Sequence, residues 1–435
     1  MSTWNLNMPL ARWFWKVGTK VSSNRHPMRE VLVSIFCLAV SLQGQNLDLF
    51  SKTSSAIHRG LAGAGLALVE GNNSGDINPA GLAGIQEQQI SATAFIEYYK
   101  YELVNERLEE GLTRIFDWAK LQRSIQSLHF ASPLGKQTGI SLGIGNLISP
   151  FLYNQKRAVT WSPLFNQLTH GDIHKPHLSL GHLITSDLSI GVTANLVFGS
   201  IRSEVHGENH GNDEDKWATL KSSLSGWGFK TGLHFQRENY QIGVAFEPSM
   251  KVDIQYQQAV SSDSLYRRLF PESENSTWLT PMRLGLGTAI KINDEIIATL
   301  DVERFELDSK TPQFNLFEYG GLATGGDIFT YRVGLLYERD GLIPISVGYA
   351  YLPQSYTSTM KTILADNSAE ISNGDRILNQ LYTIGISKSY SNSSLNIVAE
   401  YSVLTWKGDL HTYITVKDAY TEQGFGLFLE WVVKI

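Results

Sequence analysis

Cysteine is almost missing: the 435 residues hold one, Cys37. A single thiol excludes a disulfide framework, a thiolate metal cluster and a paired redox motif. Charge is sparse, at 18% of residues, where about 25% is usual for a soluble protein. There is no basic run, and Lys+Arg number 36 against 42 Asp+Glu, which argues against nucleic acid as a partner. Long apolar runs are lacking too. Beyond residue 45 no stretch approaches the ~20 apolar residues of a spanning helix, and a mean hydropathy of -0.13 excludes a multi-helix membrane protein. With 42% hydrophobic and 11% aromatic residues, disorder is excluded as the main state.

What is present begins with an export signal. Met28-Arg29-Glu30 precede an apolar stretch, Val31–Leu42, followed by small and polar residues. This is the form of a secretory signal peptide, too short to anchor a chain across a membrane. Met28 is the expected start, Ala39 and Ser41 form a small-x-small cleavage site, and residues 1–44 are expected to be removed together with Cys37.

Beyond residue 88 the dominant signal is period two. Tyr240, Ile242, Val244 and Phe246 alternate with Gln241, Gly243, Ala245 and Glu247. Tyr331, Val333, Leu335 and Tyr337 alternate with Arg332, Gly334 and Glu338. Each such run is a strand with one apolar and one polar face. A soluble sandwich gives the same alternation, but these runs often reach ten residues or more, where soluble strands average ~5–6. Aromatic residues gather near strand ends (Tyr98, Tyr99, Tyr101, Tyr349, Tyr351, Trp406), as interfacial girdles do. Fourteen strands are predicted, at about 89–103, 124–131, 138–147, 173–183, 188–202, 225–237, 240–256, 281–292, 295–307, 329–338, 343–351, 380–389, 394–404 and 424–433. Short connections follow every second strand and long ones the others. The predicted fold is all-β: a transmembrane antiparallel β-barrel of about fourteen strands in a Gram-negative outer membrane, spanning 89–435 with long extracellular loops.

Residues 45–88 break the pattern. Arg59-Gly-Leu-Ala-Gly-Ala-Gly and Asp76-Ile-Asn-Pro-Ala-Gly-Leu-Ala-Gly84 are rich in small residues that let backbone pack on backbone, and Asn78-Pro79 favours a fixed turn. Such a segment ahead of the first strand suits an N-terminal hatch, or plug, inside the barrel. The Gly-Ala-Gly…Asn-Pro-Ala-Gly-Leu-Ala pairing resembles the hatch of the FadL/TodX-type outer-membrane transporters of long-chain fatty acids and hydrocarbons. Gly226-Trp-Gly-Phe-Lys-Thr-Gly-Leu-His-Phe with Gln241-Ile-Gly-Val-Ala-Phe-Glu-Pro-Ser-Met-Lys-Val-Asp looks like that family's middle strands. Pro281-Met-Arg-Leu-Gly-Leu-Gly and Tyr331-Arg-Val-Gly-Leu-Leu-Tyr are similar to later ones. The chain departs from the family at its last residue, Ile435, in place of the usual phenylalanine.

The resemblance implies a fourteen-stranded barrel with a hatch, and energy-independent uptake of hydrophobic molecules through a lateral opening. Asn78, Pro79, Ala80 and Gly81 would be the hatch and gating residues; no ligand-contacting side chain is assigned. The implied partners are hydrophobic small molecules, outer-membrane lipid and the barrel-assembly machinery, with no cofactor. The PorV-type barrels of type IX secretion share a similar start, and imply instead a shuttle or scaffold that docks secreted proteins.

Other candidates carry less. Gly139-Ile-Ser-Leu-Gly143 matches the nucleophile-elbow pattern, but an elbow needs a strand–turn–helix context, so no enzyme is expected and no catalytic residue is assigned. His170, His174, His177 and His182 cluster without an obvious companion acid, so no metal site is assigned. Glu204 to Asp215 reads as a solvated acidic loop with no ordered calcium spacing. Residues 103–122 suggest an amphipathic helix in the first outer loop. Lys230, Glu247, Asp301, Glu303, Arg332, Glu338 and Glu400 are predicted to face inward and pair with one another. A clamp on a ligand carboxylate by Lys230 or Arg332 is the other use for those two.

Overall fold

The computed structural model describes residues 55–69, 71–107, 111–148, 152–156, 165–209, 212–260, 274–307, 326–357, 361–363, 369–371, 376–412 and 414–435. The expected signal peptide over residues 1–44, with Cys37, lies outside the described residues. No described helix is long and apolar enough to cross a membrane.

Strands dominate, and alternation is why. β1 (Gln89–Arg107) and β2 (Gly111–Pro133) form the first hairpin. β3 is Thr138–Ile148 with a continuation at Leu152–Lys156, both paired to β4 (Phe165–Leu183). β5 (Leu188–Asn209) and β6 (Asn212–Gln236) follow. β7 is Tyr240–Glu247 plus Lys251–Val260, and β8 is Asn275–Leu279 plus Met282–Lys291. β9 (Ile296–Leu307), β10 (Gly326–Tyr337), β11 (Ile345–Thr357), β12 (Arg376–Tyr390), β13 (Ser393–Thr412) and β14 (Ile414–Lys434) complete the set. Each pairs antiparallel with its neighbours, and β1 pairs with β14 as well as β2. The sheet therefore closes on itself and leaves no edge for lipid to meet.

The barrel is apolar outside and polar inside. Leu286, Val333 and Ile384 are 52%, 46% and 52% exposed, whereas Asp301, Glu303, Thr330 and Arg332 are 1–3% exposed. Water would reject such an exterior, while a bilayer accepts it. Tyr349, Tyr382, Tyr401, Phe425 and Tyr98 stand in register across five adjacent strands. Successive rings lie 5.2, 6.3 and 4.8 Å apart from Tyr349 to Phe425. This row is an interfacial aromatic belt.

Three of the expected long outer connections are mostly strand: β1–β2, β5–β6 and β13–β14 run on to Arg107/Gly111, Asn209/Asn212 and Thr412/Ile414. The helix predicted over 103–122 is absent for the same reason. Leu103 pairs with Phe116 and Tyr101 with Trp118, and β1 is paired on its other side with β14; this cross-strand backbone pairing outweighs a local 3.6-residue period. The acidic stretch from Glu204 likewise continues as the ends of β5 and β6. At the opposite end, the turns at residues 134–137, 184–187, 237–239, 292–295 and 391–392 are short, as the sequence predicts.

Ahead of β1, residues 55–88 form a compact segment with helix α1 (Ala56–Gly60), helix α2 (Ser74–Ile77) and a 3-10 turn (Pro79–Gly84). Most of it is buried. Its contacts reach inward-facing residues of β2, β5, β6, β9, β12 and β14. A chain that touches strands all round a closed barrel lies in its lumen.

Candidate functional site

Strand glycines make room for this lumenal segment. A Cβ on Gly243 would lie 1.7 Å from the Leu66 carbonyl oxygen, and one on Gly139 2.0 Å from that of Leu82. Gly191 and Gly348 meet the backbone of Pro79 and of Leu61–Ala62 in the same way. The residues singled out by sequence sit at this contact. Asn78 is fully buried; its Nδ2 donates to the Leu66 and Leu233 carbonyls, each at 2.9 Å, and its Oδ1 accepts from Ala80 N at 3.2 Å. The last bond caps the 3-10 turn that Pro79 begins. Ala80 and Gly81 are buried behind it, Gly81 against Val69.

The lumenal charges mostly anchor this segment. The Gly65 and Leu66 amides donate to Asp301 Oδ2 at 2.7 and 2.9 Å. Arg59 pairs with Glu400 at 2.6 Å and lies 3.7 Å from the Phe428 ring centroid. Glu430 accepts from Ala56 N at 3.0 Å and from Asn73 Nδ2. Lys230 donates to the Asp76 carbonyl and pairs with Glu247, which also pairs with Lys175. Glu303 accepts from Arg283 Nε at 2.6 Å and from Arg332. Of the seven residues predicted to face inward, Glu338 does not: it lies exposed in the short connection after β10, where its amide donates to Glu295 O. The alternation ends one residue before it, at Tyr337.

His58, in the lumenal segment, has its pKa lowered from 6.5 by burial, against the raising effect of its hydrogen bond to the Leu68 carbonyl at 2.7 Å. A group with a depressed basic pKa must charge unfavourably in the folded form. The neutral form thus stabilises the packing above about pH 6.5, and this contribution is lost as pH falls toward the folded value. Protease access to residues 55–88 should rise on acidification, and His58→Gln should flatten that rise, as measured by fragment release.

Asp76 meets two imidazoles. His177 Nδ1 is 2.9 Å from Asp76 Oδ1, and His129 Nε2 is 3.4 Å from Asp76 Oδ2. His129, Gly143 and His177 occupy one rung of β2, β3 and β4. Of the four histidines grouped by sequence, only His177 belongs here. Ser141 of the elbow-like motif is a buried mid-strand residue facing Gly75.

The wall itself is interrupted beside Lys230. β6 and β7 pair from Thr231↔Phe246 down to the short turn and from Gly226↔Val252 outward, with a one-residue slip between. β7 and β8 break at Pro248–Met250 and Thr280–Pro281, where neither proline supplies an N–H. One extra residue swaps the faces of a strand: Gly243, Ala245 and Glu247 face inward before the break, Met250, Val252 and Ile254 after it. Outward of the segment the inner face turns largely apolar, with Ser203, Ser222 and Asn379 as polar members beside Leu220, Ile201 and Leu352. Ile201, Leu220, Leu224, Val252, Ile254, Phe305, Ile328 and Leu352 are all at most 4% exposed.

A closed, lipid-facing, fourteen-stranded barrel with a lumen-filling N-terminal segment defines a FadL-type outer-membrane barrel. The chain belongs to the BamG family, whose sequence profile matches residues 77–315. A Pseudomonas aeruginosa FadL homologue superposes with a TM-score of 0.56 at 13% identity, over 90% of this chain and 99% of that one. The Pseudomonas putida toluene transporter TodX gives 0.53 at 12%, over 89% and 99%. The Ralstonia pickettii toluene transporter TbuX gives 0.52 at 11%, over 91% and 100%. No curated protein matches the chain in sequence.

Proposed function

We propose that the protein takes up hydrophobic compounds, of the long-chain fatty acid or hydrocarbon class, from the outer mouth of the barrel and releases them sideways into the membrane. The observation that carries this reading is the change of the inner face from charged and polar, where the lumenal segment sits, to largely apolar and uncharged at the rungs of Ile201, Leu220, Leu224, Val252 and Ile254 outward of it. A channel for polar solutes needs a polar lining throughout. An apolar lining lets an apolar molecule exchange lipid for protein at little cost. The segment closes the straight path, so the hatch reading of 45–88 and the gating roles of Asn78, Pro79, Ala80 and Gly81 belong to this proposal. The break beside Pro248 supplies an exit just outward of the obstruction: the β6–β7 ladder has a gap between Thr231↔Phe246 and Gly226↔Val252, while β7 stays tied to β8 by Thr280 N on the Met250 carbonyl. The toluene transporters among the structural neighbours support the substrate class.

The scarcity of cysteine gives a clean test. A Cβ on Gly228 would lie 3.1 Å from Met250 Cβ, across the β6–β7 break, close to the ~3.5–4.5 Å of a disulfide. Gly228→Cys with Met250→Cys, oxidised, should staple the break. Uptake of oleate or toluene by cells carrying the oxidised protein is expected to fall at least to the level of cells lacking it, and to return on reduction. Equal uptake in both redox states would rule out the exit.

A further inference from the structure

We propose that Asp76, His129 and His177 form a binding site for a first-row divalent cation, zinc foremost, which fastens the lumenal segment to the barrel wall. Both histidines are 2% exposed. All four of their ring nitrogens are buried without a hydrogen-bond partner, a costly state for polar groups. Their approaches to Asp76, at 2.9 and 3.4 Å, are short yet not aligned as hydrogen bonds. They match the ~3.3 Å separation of two ligands that each stand ~2.0–2.1 Å from a tetrahedral zinc. One donor atom from each of the three residues lies within 4.8 Å of the others.

The surroundings favour a cation over a mere ion pair. The rings lie 5.3 Å apart, tilted by 49°, and the residue between them on the rung is Gly143. A Cβ there would come within 2.5 Å of His177 and 2.7 Å of His129, so the glycine holds open the space the two rings share. Imidazole with carboxylate suits zinc, and equally iron(II) in a two-histidine, one-carboxylate set. Three protein ligands leave one position for water, and the Asp76 side chain, 24% exposed, gives water and the ion a way in.

The site joins the two parts of the molecule. His129 and His177 are on β2 and β4, whereas Asp76 is in α2, two residues before Asn78. The Gly75 carbonyl accepts from Thr193 at 3.0 Å and the Asp76 carbonyl from Lys230, so the carboxylate is positioned from both sides. A bound cation would tie α2 to the wall independently of any transported molecule. The metal test therefore stands whether or not the uptake reading does.

The experiment uses full-length protein extracted from outer membranes in mild detergent, stripped with a chelator and titrated with Zn²⁺, then with Co²⁺ as a spectroscopic probe. One equivalent should bind, with the ligand-field absorption of a tetrahedral nitrogen–oxygen site and a higher unfolding temperature. His129→Asn with His177→Asn should weaken binding by more than roughly a hundredfold, since outer-shell losses alone cost 10–100-fold, and should abolish the thermal shift. Asp76→Asn, which keeps the side chain's shape, covers the case where the double variant misfolds. Substoichiometric binding in the wild type, or equal affinity in wild type and Asp76→Asn, would overturn the proposal.

Discussion

Gly243→Leu is expected to dislodge the lumenal segment while leaving the wall standing. The added Cβ would meet the Leu66 carbonyl at 1.7 Å for oxygen and 2.3 Å for carbon. Both are backbone atoms, which cannot swing away as a side chain can, so the clash exceeds the usual 1–3 kcal/mol of overpacking. One side must yield. Gly243 is held in β7 between His234 of β6 and Gly287 of β8, within continuous ladders on both sides. Leu66 is held by its own amide on Asp301 and by its carbonyl on Asn78. Each net hydrogen bond stabilises by only ~0.5–1.5 kcal/mol, so the shorter, fewer attachments of the segment give way first. Limited proteolysis should then release fragments from residues 55–88, and cells should become sensitive to antibiotics that intact outer membranes exclude. Gly84→Leu is the control. It lies in the same segment, but nothing stands within 4 Å of its added Cβ. Equal behaviour of the two variants would refute the close-packing account.

How much of this was legible in sequence follows from the range of the forces. Strand identity was readable because each strand must separate lipid from lumen on its own, so Ile242, Val244 and Phe246 alternate whatever their neighbours are. Strand length was not. Tyr101, Leu103, Phe116 and Trp118 extend the first hairpin through pairing with β14 and with each other, which local periodicity cannot report. The small-residue segment was visible, and Asn78 and Pro79 were singled out, because turn chemistry is local. Its partners were not visible. His129 and His177 meet only through the register of β2, β3 and β4. The tight turn at residues 134–137 could have placed His129 opposite Gly143, but His177 reaches that rung through a long connection whose register no local signal sets. Asp301 and Glu303 read as lumenal charges. That Asp301 takes two amides of a segment 235 residues away is a fact of closure and not of sequence pattern.

Glu303→Ala is expected to be among the most destabilising single changes in the wall. Glu303 is 1% exposed and takes both Arg283 and Arg332. Removing one partner of a buried ion pair costs about 3–5 kcal/mol, because the remaining charge keeps its desolvation penalty, and here two guanidinium groups lose one carboxylate. Arg283 has an outlet, since it is 28% exposed at the side chain and Glu247 lies directly across on β7. Arg332, 3% exposed, has none in solvent. Its neighbour in register is Asp301, the acceptor of the Gly65 and Leu66 amides. Arg332 should therefore turn to Asp301 and compete with those amides, so that the loss spreads from the wall to the lumenal segment. Two measurements separate the effects. The barrel's unfolding midpoint in denaturant should fall for Glu303→Ala and recover in large part for Glu303→Leu with Arg332→Leu, because removing both charges of a buried pair is often neutral. Amide exchange at Gly65 and Leu66 should speed up in the single variant and not in the double. If exchange at those two amides is unchanged while the midpoint falls, the wall network and the lumenal anchor are separate, and Asp301 holds the Gly65 and Leu66 amides independently of Arg332.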